Sequence, residues 1–486
     1  MNLQPLLEPG WVNAIFPELI LSIGGMVLIL WDAFLPRVKG ALAPLALILF
    51  IAAAWSENLF IQGGIFFGGT YEVSAITMIF DLTFLLAGMM ATLFAREYLE
   101  REGIEDGAFY GLLMWGTVGM MMMAKGLDLL IVILGLEILS ICIFVLVGFH
   151  RRLSVSNEAS VKYFLMGAFA TGFILYGTAL FYGATASTNI GSMARWFASN
   201  DATPLLTVAF VLLMSGFGFK LALAPFHPWA PDVYQGAPTP VAGWLSVAPK
   251  AATLIALVRL FDAMSPVLPK VSWMQMVAAL AILSMIVGNA VAIVQRDLKR
   301  MLAYSGIAHV GYMMIAMLTI RDESVAAVAV YTITYALMNI GAFGVVSLLM
   351  KNQNDPQTLD DIAGLGFRRK FYGFALAICM FSLSGLPPTA GFISKFYIFK
   401  TAIESGHTTV ALIGIFASII SVYYYLRVVY YLYMKEPAEG YAATPQGGVF
   451  ALGALTIAVV GIMIIGIYPT PLFQAAGNAA RVLLQQ

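Results

Sequence analysis

The sequence predicts an all-α polytopic membrane protein, and three observations carry that expectation. Of 486 residues, 60% are hydrophobic and only 11% charged, against about 25% charged in an ordinary soluble domain. Apolar runs of roughly 18 or more residues recur along the whole chain, each long enough to cross a hydrocarbon core of about 30 Å as a helix. The polar inserts between those runs are too short to fold alone. The longest are AREYLEREGIEDG at 95–107 and MKNQNDPQTLDDIAGLGFRRK at 350–370, both read as interhelical loops with at most a short surface helix. Net charge is zero and points to no particular partner beyond the lipid bilayer; no nucleic acid is expected.

About 14 transmembrane helices are expected on this length criterion. The first three, 11–34, 41–56 and 73–95, make an N-terminal unit within 1–107. The first run lacks a basic n-region and an A-x-A-like cleavage site, so it reads as a retained span. Between the second and third, NLFIQGGIFFGGTYEV at 58–73 alternates glycine with β-formers, as an outer-face hairpin does. The next five spans, 108–124, 127–149, 159–183, 203–224 (with a broken extension to about 236) and 240–262, fill 108–262. Five more, 272–294, 301–319, 324–350, 371–400 (broken) and 408–434, fill 272–434. The last, 447–467, lies in 435–486 with a tail. The 127–149 and 240–262 runs read as the clearest single helices, whereas 41–56 and 108–124 are short.

Basic residues set the orientation. Loops after odd-numbered spans hold Arg37 and Lys39, Arg96 and Arg101, Arg151 and Arg152, Arg296, Lys299 and Arg300, Lys351, Arg368 to Lys370, and Lys435, with Asp232 alone marking one. The opposite loops hold little beyond Lys125, Arg195, Lys270 and Arg321. The first set is expected to face the cytoplasm, which puts both termini outside.

Two spans contain mid-membrane proline clusters: KLALAPFHP, with Pro225 and Pro228, and SLSGLPPTAGFISKFYIF, with Pro387 and Pro388. Each is the fourth member of a five-span block, and each carries a lysine nearby. An odd-numbered block repeated in tandem must insert upside down the second time. The expectation is therefore two inverted five-helix repeats, each with a broken helix, an arrangement that commonly marks an ion site.

A charged side chain at the centre of a membrane helix costs about 2.5–3.5 kcal/mol on insertion scales. Four stand deep inside spans: Glu137, Lys220, Lys250 and Lys395. Glu137 and Lys250 lie about ten residues, or roughly 15 Å, from either span end, too deep to snorkel. A fixed structural ion pair is the bland alternative for them. Lys220 and Lys395 sit beside the helix breaks, where freed backbone groups need polar partners. Lys162 reads equally as a snorkelling partner of Glu158, one turn before it. Burial disfavours a lysine's charge and a nearby carboxylate restores it, so Glu137 beside Lys220 makes a switch, with Lys250 and Lys395 carrying charge onward. His227, between the two prolines of the first break, is a candidate relay; His309, in mid-helix, reads as a relay or as a satisfied core histidine. His150 and His407 look interfacial.

Other chemistries lack support. No G-x-G-x-x-G, P-loop, C-x-x-C or HExxH is present, and two central histidines do not make a haem site. Cys142 and Cys379 each stand alone in apolar runs and read as small buried hydrophobes. The Met120–Met123 run reads as lipid-facing or core packing rather than a metal site. No metal is expected.

The stretches LGLEILSICIFVLVGF, EASVKYFLMGAFATGFILYG, FKLALAPFHPWAPDVYQGAPTPV, QRDLKRMLAYSGIAHVGYM and LSGLPPTAGFISKFYIF together resemble the antiporter-like membrane subunits of respiratory complex I. Within that family the lysine at 395 and the short tail after the last span resemble the N type of bacterial NADH:quinone oxidoreductase. The resemblance covers roughly 110–400 and implies a proton-translocating subunit of the bacterial inner membrane. It implies that Glu137 pairs with Lys220, Lys162 modulates, Lys250 is central, Lys395 is exit-side, and His227 and His309 belong to the relay. No cofactor is implied in this chain; NADH, FMN, iron–sulfur clusters and quinone would bind other membrane and peripheral subunits, its expected partners. Two alternatives share some of these features: a subunit of an Mrp-type cation/proton antiporter, and a scaffold whose buried charges only fix helix register.

Overall fold

The structure is a computed structural model and describes residues 10–59, 63–267, 272–349, 357–436 and 447–484. The expected Lys270 and Lys351 loop positions, and 60–62 of the hairpin, lie outside the described residues. A short α1 (Trp11–Ala14) leads into α2 (Phe16–Phe34), α3 (Leu42–Leu59), α4 (Ala75–Glu102), α5 (Gly107–Lys125) and α6 (Leu129–Val147). Next come α7 (Ser154–Thr185), α8 (Ile190–Ser199), α9 (Pro204–Leu221), α10 (Trp229–Gly236), α11 (Thr239–Leu245) and α12 (Ala248–Ala263). The second half holds α13 (Trp273–Val294), α14 (Leu298–Ala316), α15 (Asp322–Leu348), α16 (Leu365–Arg368), α17 (Lys370–Ser384), α18 (Ala390–Glu404), α19 (Thr408–Tyr433), α20 (Val449–Ile467) and α21 (Thr470–Leu484).

Among the described residues, 12 helical segments are long and apolar enough to cross a membrane. The two further expected spans, 301–319 and 371–400, correspond to α14 and to the α17–α18 pair. The short runs 41–56 and 108–124 are full helices, 18 and 19 residues long.

Helix starts follow local chemistry. Asp106, Asp128, Asn189, Thr203 and Asp297 cap α5, α6, α8, α9 and α14 by accepting from backbone N–H groups one turn in, satisfying donors that a helix start leaves orphaned. Between α3 and α4, β1 (Gly64–Phe66) and β2 (Tyr71–Val73) pair antiparallel, the hairpin that the glycine alternation predicts.

Burial sorts the helices by depth. Nearly every residue of α11, α12 and α15 is buried, so these form the centre of the bundle. By contrast α7, α13 and α19 bury a single stripe and turn residues such as Phe169, Ile286 and Phe416 outward. With water absent from the bilayer core, such apolar exteriors are the expected outer face. Helices approach closely at small residues, as membrane packing favours: an added Cβ on Gly216 of α9 would sit 2.3 Å from Ile174 of α7.

Three expectations need correction. The 240–262 run is not one helix: it breaks between α11 and α12, with Val247 at φ −123°, ψ −65°, and Asn339 Nδ2 donates to Ser246 Oγ at 2.6 Å. Pro249 in the new first turn lacks the N–H a continuous helix needs. The 95–107 insert is mostly the end of α4, closed by Gly103 at φ 65°. Lys125 is wholly buried at the end of α5 rather than a loop base. The amphipathic α8 and the terminal α21 were not expected.

Candidate functional site

Two helix breaks place the candidate residues. The first opens after α9, where Ala222 adopts φ 58° and closes the helix. Across the break, the Ala224 N–H donates to Ser284 Oγ at 2.9 Å and Trp229 Nε1 donates to Phe219 O at 2.9 Å. The second lies between α17 and α18, where Gly385 adopts φ 84° and the Gly391 N–H donates to Ser382 Oγ at 3.0 Å. Both the Ala224–Pro225 and Pro387–Pro388 peptides are cis. Backbone groups freed by the prolines thus find internal partners, as a nonpolar surround requires.

Lys220, in the last turn of α9 and 8% exposed, does not touch Glu137. Its Nζ donates to Ser140 Oγ at 2.7 Å, and Ser140 donates in turn to Leu136 O. Glu137 accepts from Thr171 Oγ1 at 2.7 Å. Residues 137 and 140 share a face of α6, one turn apart, so the amine and carboxylate stand on the same ridge, each held by a hydroxyl. The direct pair implied by the family resemblance is absent from this arrangement.

Lys250 is 1% exposed. Its Nζ donates to Gly306 O at 3.2 Å and lies 5.9 Å from the centre of the Tyr234 ring. Gly306 has no side chain to fend it off: a Cβ there would sit 3.1 Å from that Nζ and 2.8 Å from Tyr335 OH.

His309 is enclosed by tyrosines. Its Nδ1 is 2.8 Å from Tyr331 OH and its Nε2 3.0 Å from Tyr425 OH, and the ring stacks on Tyr335 at 5.0 Å. Tyr425 OH is also hydrogen-bonded to Ser305. Both readings of His309 therefore meet: its two nitrogens are satisfied, and by groups that can accept and donate.

Lys395, in α18 and 4% exposed, reaches back over the second break. Its Nζ donates to Leu383 O at 2.9 Å, Ser384 O at 3.1 Å and Ser418 Oγ at 3.0 Å. It thereby serves carbonyls that the end of α17 leaves unpaired. It lies 5.2 Å from the Tyr312 ring. Asn289 donates to Tyr312 OH and accepts from Tyr424 OH, both at 3.0 Å.

The structure does not gather all seven candidates. Lys162 is 46% exposed along its side chain and pairs with Glu158 at 2.7 Å and Asp232 at 3.3 Å; Asp232 also meets Arg300 at 2.7 Å. It belongs to a surface ion network, as the snorkelling reading expects. His227 is half-buried at the first break, its ring 6.3 Å from Tyr304. No His, Cys, Asp and Glu cluster among the described residues has metal-binding geometry.

Sequence reasoning missed the tyrosines and a second set of buried charges. Arg259 Nη1 pairs with Glu72 at 2.6 Å, both side chains 2% exposed. Lys125 meets Glu18, Glu57 and Asp81. Glu18 and Asp81 fall inside expected spans, and that signal alone was enough to find them; Lys125 and Glu57 were disguised by their position at span ends.

Residues 126–421 match the transmembrane family described as NADH:quinone oxidoreductase/Mrp antiporter. The chain is 40% identical over 99% of its length to all of NADH-quinone oxidoreductase subunit N of Trichlorobacter lovleyi. It is 38% identical over 98% of its length to 99% of the subunit N of Chloroflexus aggregans. This chain belongs to that family. A chain in the structure of respiratory complex I from Thermus thermophilus with bound Aureothin superposes with a TM-score of 0.81 at 34% identity, covering 96% of this chain and 99% of that one. The antiporter-like subunit fold is thus shared over nearly the whole length of both chains.

Proposed function

We propose that this chain is the N-type proton-translocating membrane subunit of an NADH:quinone oxidoreductase, itself free of redox centres, acting with other subunits that hold the redox groups. The observation that carries the reading is the set of three mid-membrane lysines, Lys220, Lys250 and Lys395, each at most 8% exposed. Each is held by hydroxyls or carbonyls and none is in an ion pair among the described residues. Keeping a buried ammonium charged without a counter-ion is costly, so the protonation of each responds to its neighbours. A scaffold would use closed pairs, as Arg259 and Glu72 do.

In this reading Glu137 is the movable counter-charge. A shift that exchanges Thr171 and Ser140 for direct contact brings Glu137 onto Lys220. Pairing at 4 Å in a medium of effective dielectric near 20 is worth about 4 kcal/mol. Moving one charge against 100 mV costs about 2.3 kcal/mol, so the switch is large enough. Release of the pair passes the proton toward Lys250, then through His309 and its tyrosines toward Lys395. Lys162 biases the switch from the surface network, and His227 lines the first break. The protein sits in the bacterial inner membrane with both termini outside.

The test is Lys220→Ala and Glu137→Ala in the assembled complex. Proton pumping and coupled quinone reduction are expected to be lost while assembly persists. An assembled Lys220→Ala complex that pumps fully removes the switch from the mechanism. Relatives at about this identity carry the subunit N name along their full length, which favours this reading over an Mrp-type antiporter; copurification with NADH dehydrogenase subunits separates the two.

A further inference from the structure

The structure assigns a second proton-binding site, outside the lysine series, where Glu18 of α2, Glu57 of α3 and Asp81 of α4 close around Lys125 of α5. The Lys125 ammonium lies 2.8 Å from Glu18 Oε1, 3.3 Å from Glu57 Oε1 and 2.7 Å from Asp81 Oδ2. Tyr71 of β2 donates to Glu18 Oε1 at 2.6 Å. None of these residues is more than 5% exposed, and Lys125, Glu57 and Asp81 are fully enclosed.

Charge and hydrogen bonding point to the same ligand. One ammonium faces three carboxylates, so complete ionisation leaves two negative charges in excess. Buried carboxylates in that position take up protons rather than remain charged. Independently, Glu57 Oε2 and Asp81 Oδ1 are each buried with no hydrogen-bond partner, as is Glu18 Oε2; the first two are the places where a bound proton sits on a carboxyl oxygen. Glu72, next to Tyr71 in β2, and Arg259, bonded to Ala124 O, pair with one another and supply nothing to the excess. Arg259 Nε donates to Ala124 O at 2.9 Å, so the cluster abuts the helix that carries Lys250. Protons shared between Glu57 and Asp81, with Lys125 kept as ammonium, make an exchangeable store. The assignment does not depend on whether the lysine series pumps.

Difference infrared spectroscopy of the assembled complex tests it, recorded between acid and alkaline buffer in H2O and D2O. Asp81→Asn, Glu57→Gln and Glu18→Gln are compared with the exposed control Glu404→Gln. The expected result is loss of a deuterium-sensitive protonated-carboxyl absorption in at least one cluster variant that assembles, with none lost in the control. An undiminished absorption in every assembled cluster variant overturns the assignment. So does displacement of the absorption by sodium at constant pH, which makes the ligand a metal cation instead. Pumping measured alongside reports on the lysine series separately.

Discussion

Ser140 stands between the two groups that a charge switch has to join. Its hydroxyl accepts from Lys220 and is anchored to Leu136 O, so it fixes the amine one turn along α6 from Glu137. Ser140→Ala removes a hydrogen bond to a charged group, worth about 1.5–3 kcal/mol. Coupled turnover of the assembled complex is expected to change on the order of tenfold, far less than in Lys220→Ala. Equal loss in both variants assigns Ser140 a larger role than a resting partner. Glu137, Lys220, Lys250 and Lys395 were legible because a charge inside an apolar run is conspicuous. The serine and the tyrosines around His309 were not: hydroxyl-bearing residues are common in membrane helices, and only the fold shows which ones face a buried amine.

The broken helices are the elements on which the candidate path hangs, and their glycines are where they can be damaged. A Cβ on Gly391 would lie 1.8 Å from Ser382 O, a backbone atom that no rotamer change can clear. Overpacking by one methylene costs about 1–3 kcal/mol where side chains yield, and here none can. Gly391→Ala is expected to lower the amount of assembled chain in membranes several-fold, whereas Gly453→Ala, with open space around it, leaves it unchanged; quantitative immunoblotting decides. Gly306→Ala is expected to assemble yet lose turnover, because it presses on Lys250 Nζ and Tyr335 OH. Proline clusters made the breaks after α9 and α17 readable. The interruption between α11 and α12 also had a signal, Pro249 in the middle of the run, but a single proline in an otherwise apolar stretch reads as a tolerated kink, and only the fold shows the helix starting afresh there.

At the scale of the whole molecule, orientation follows from the distribution of basic residues. Single cysteines at Arg151 and Lys435 are expected to react with a membrane-impermeant thiol reagent only from the cytoplasmic side. One at Arg195 should react only from outside. Cys142 and Cys379 are buried and should give little background. Reversal of the pattern inverts the membrane placement. Class and span positions were readable because bilayer thickness dictates run length; the centrality of α11, α12 and α15 was not, since uniform apolarity looks alike in lipid and in a protein core.

The interruption ahead of Lys250 has a mechanical corollary. α12 is moored at its far end, where Arg259 grips Glu72 and the Ala124 carbonyl, while its near end meets α11 only through the two-residue joint Ser246–Val247. The joint interrupts the helical hydrogen-bond ladder beside the central amine, about 14 Å from the mooring. Amide hydrogen exchange should therefore run faster at 250–252 than at 257–260, and Arg259→Leu should abolish that gradient.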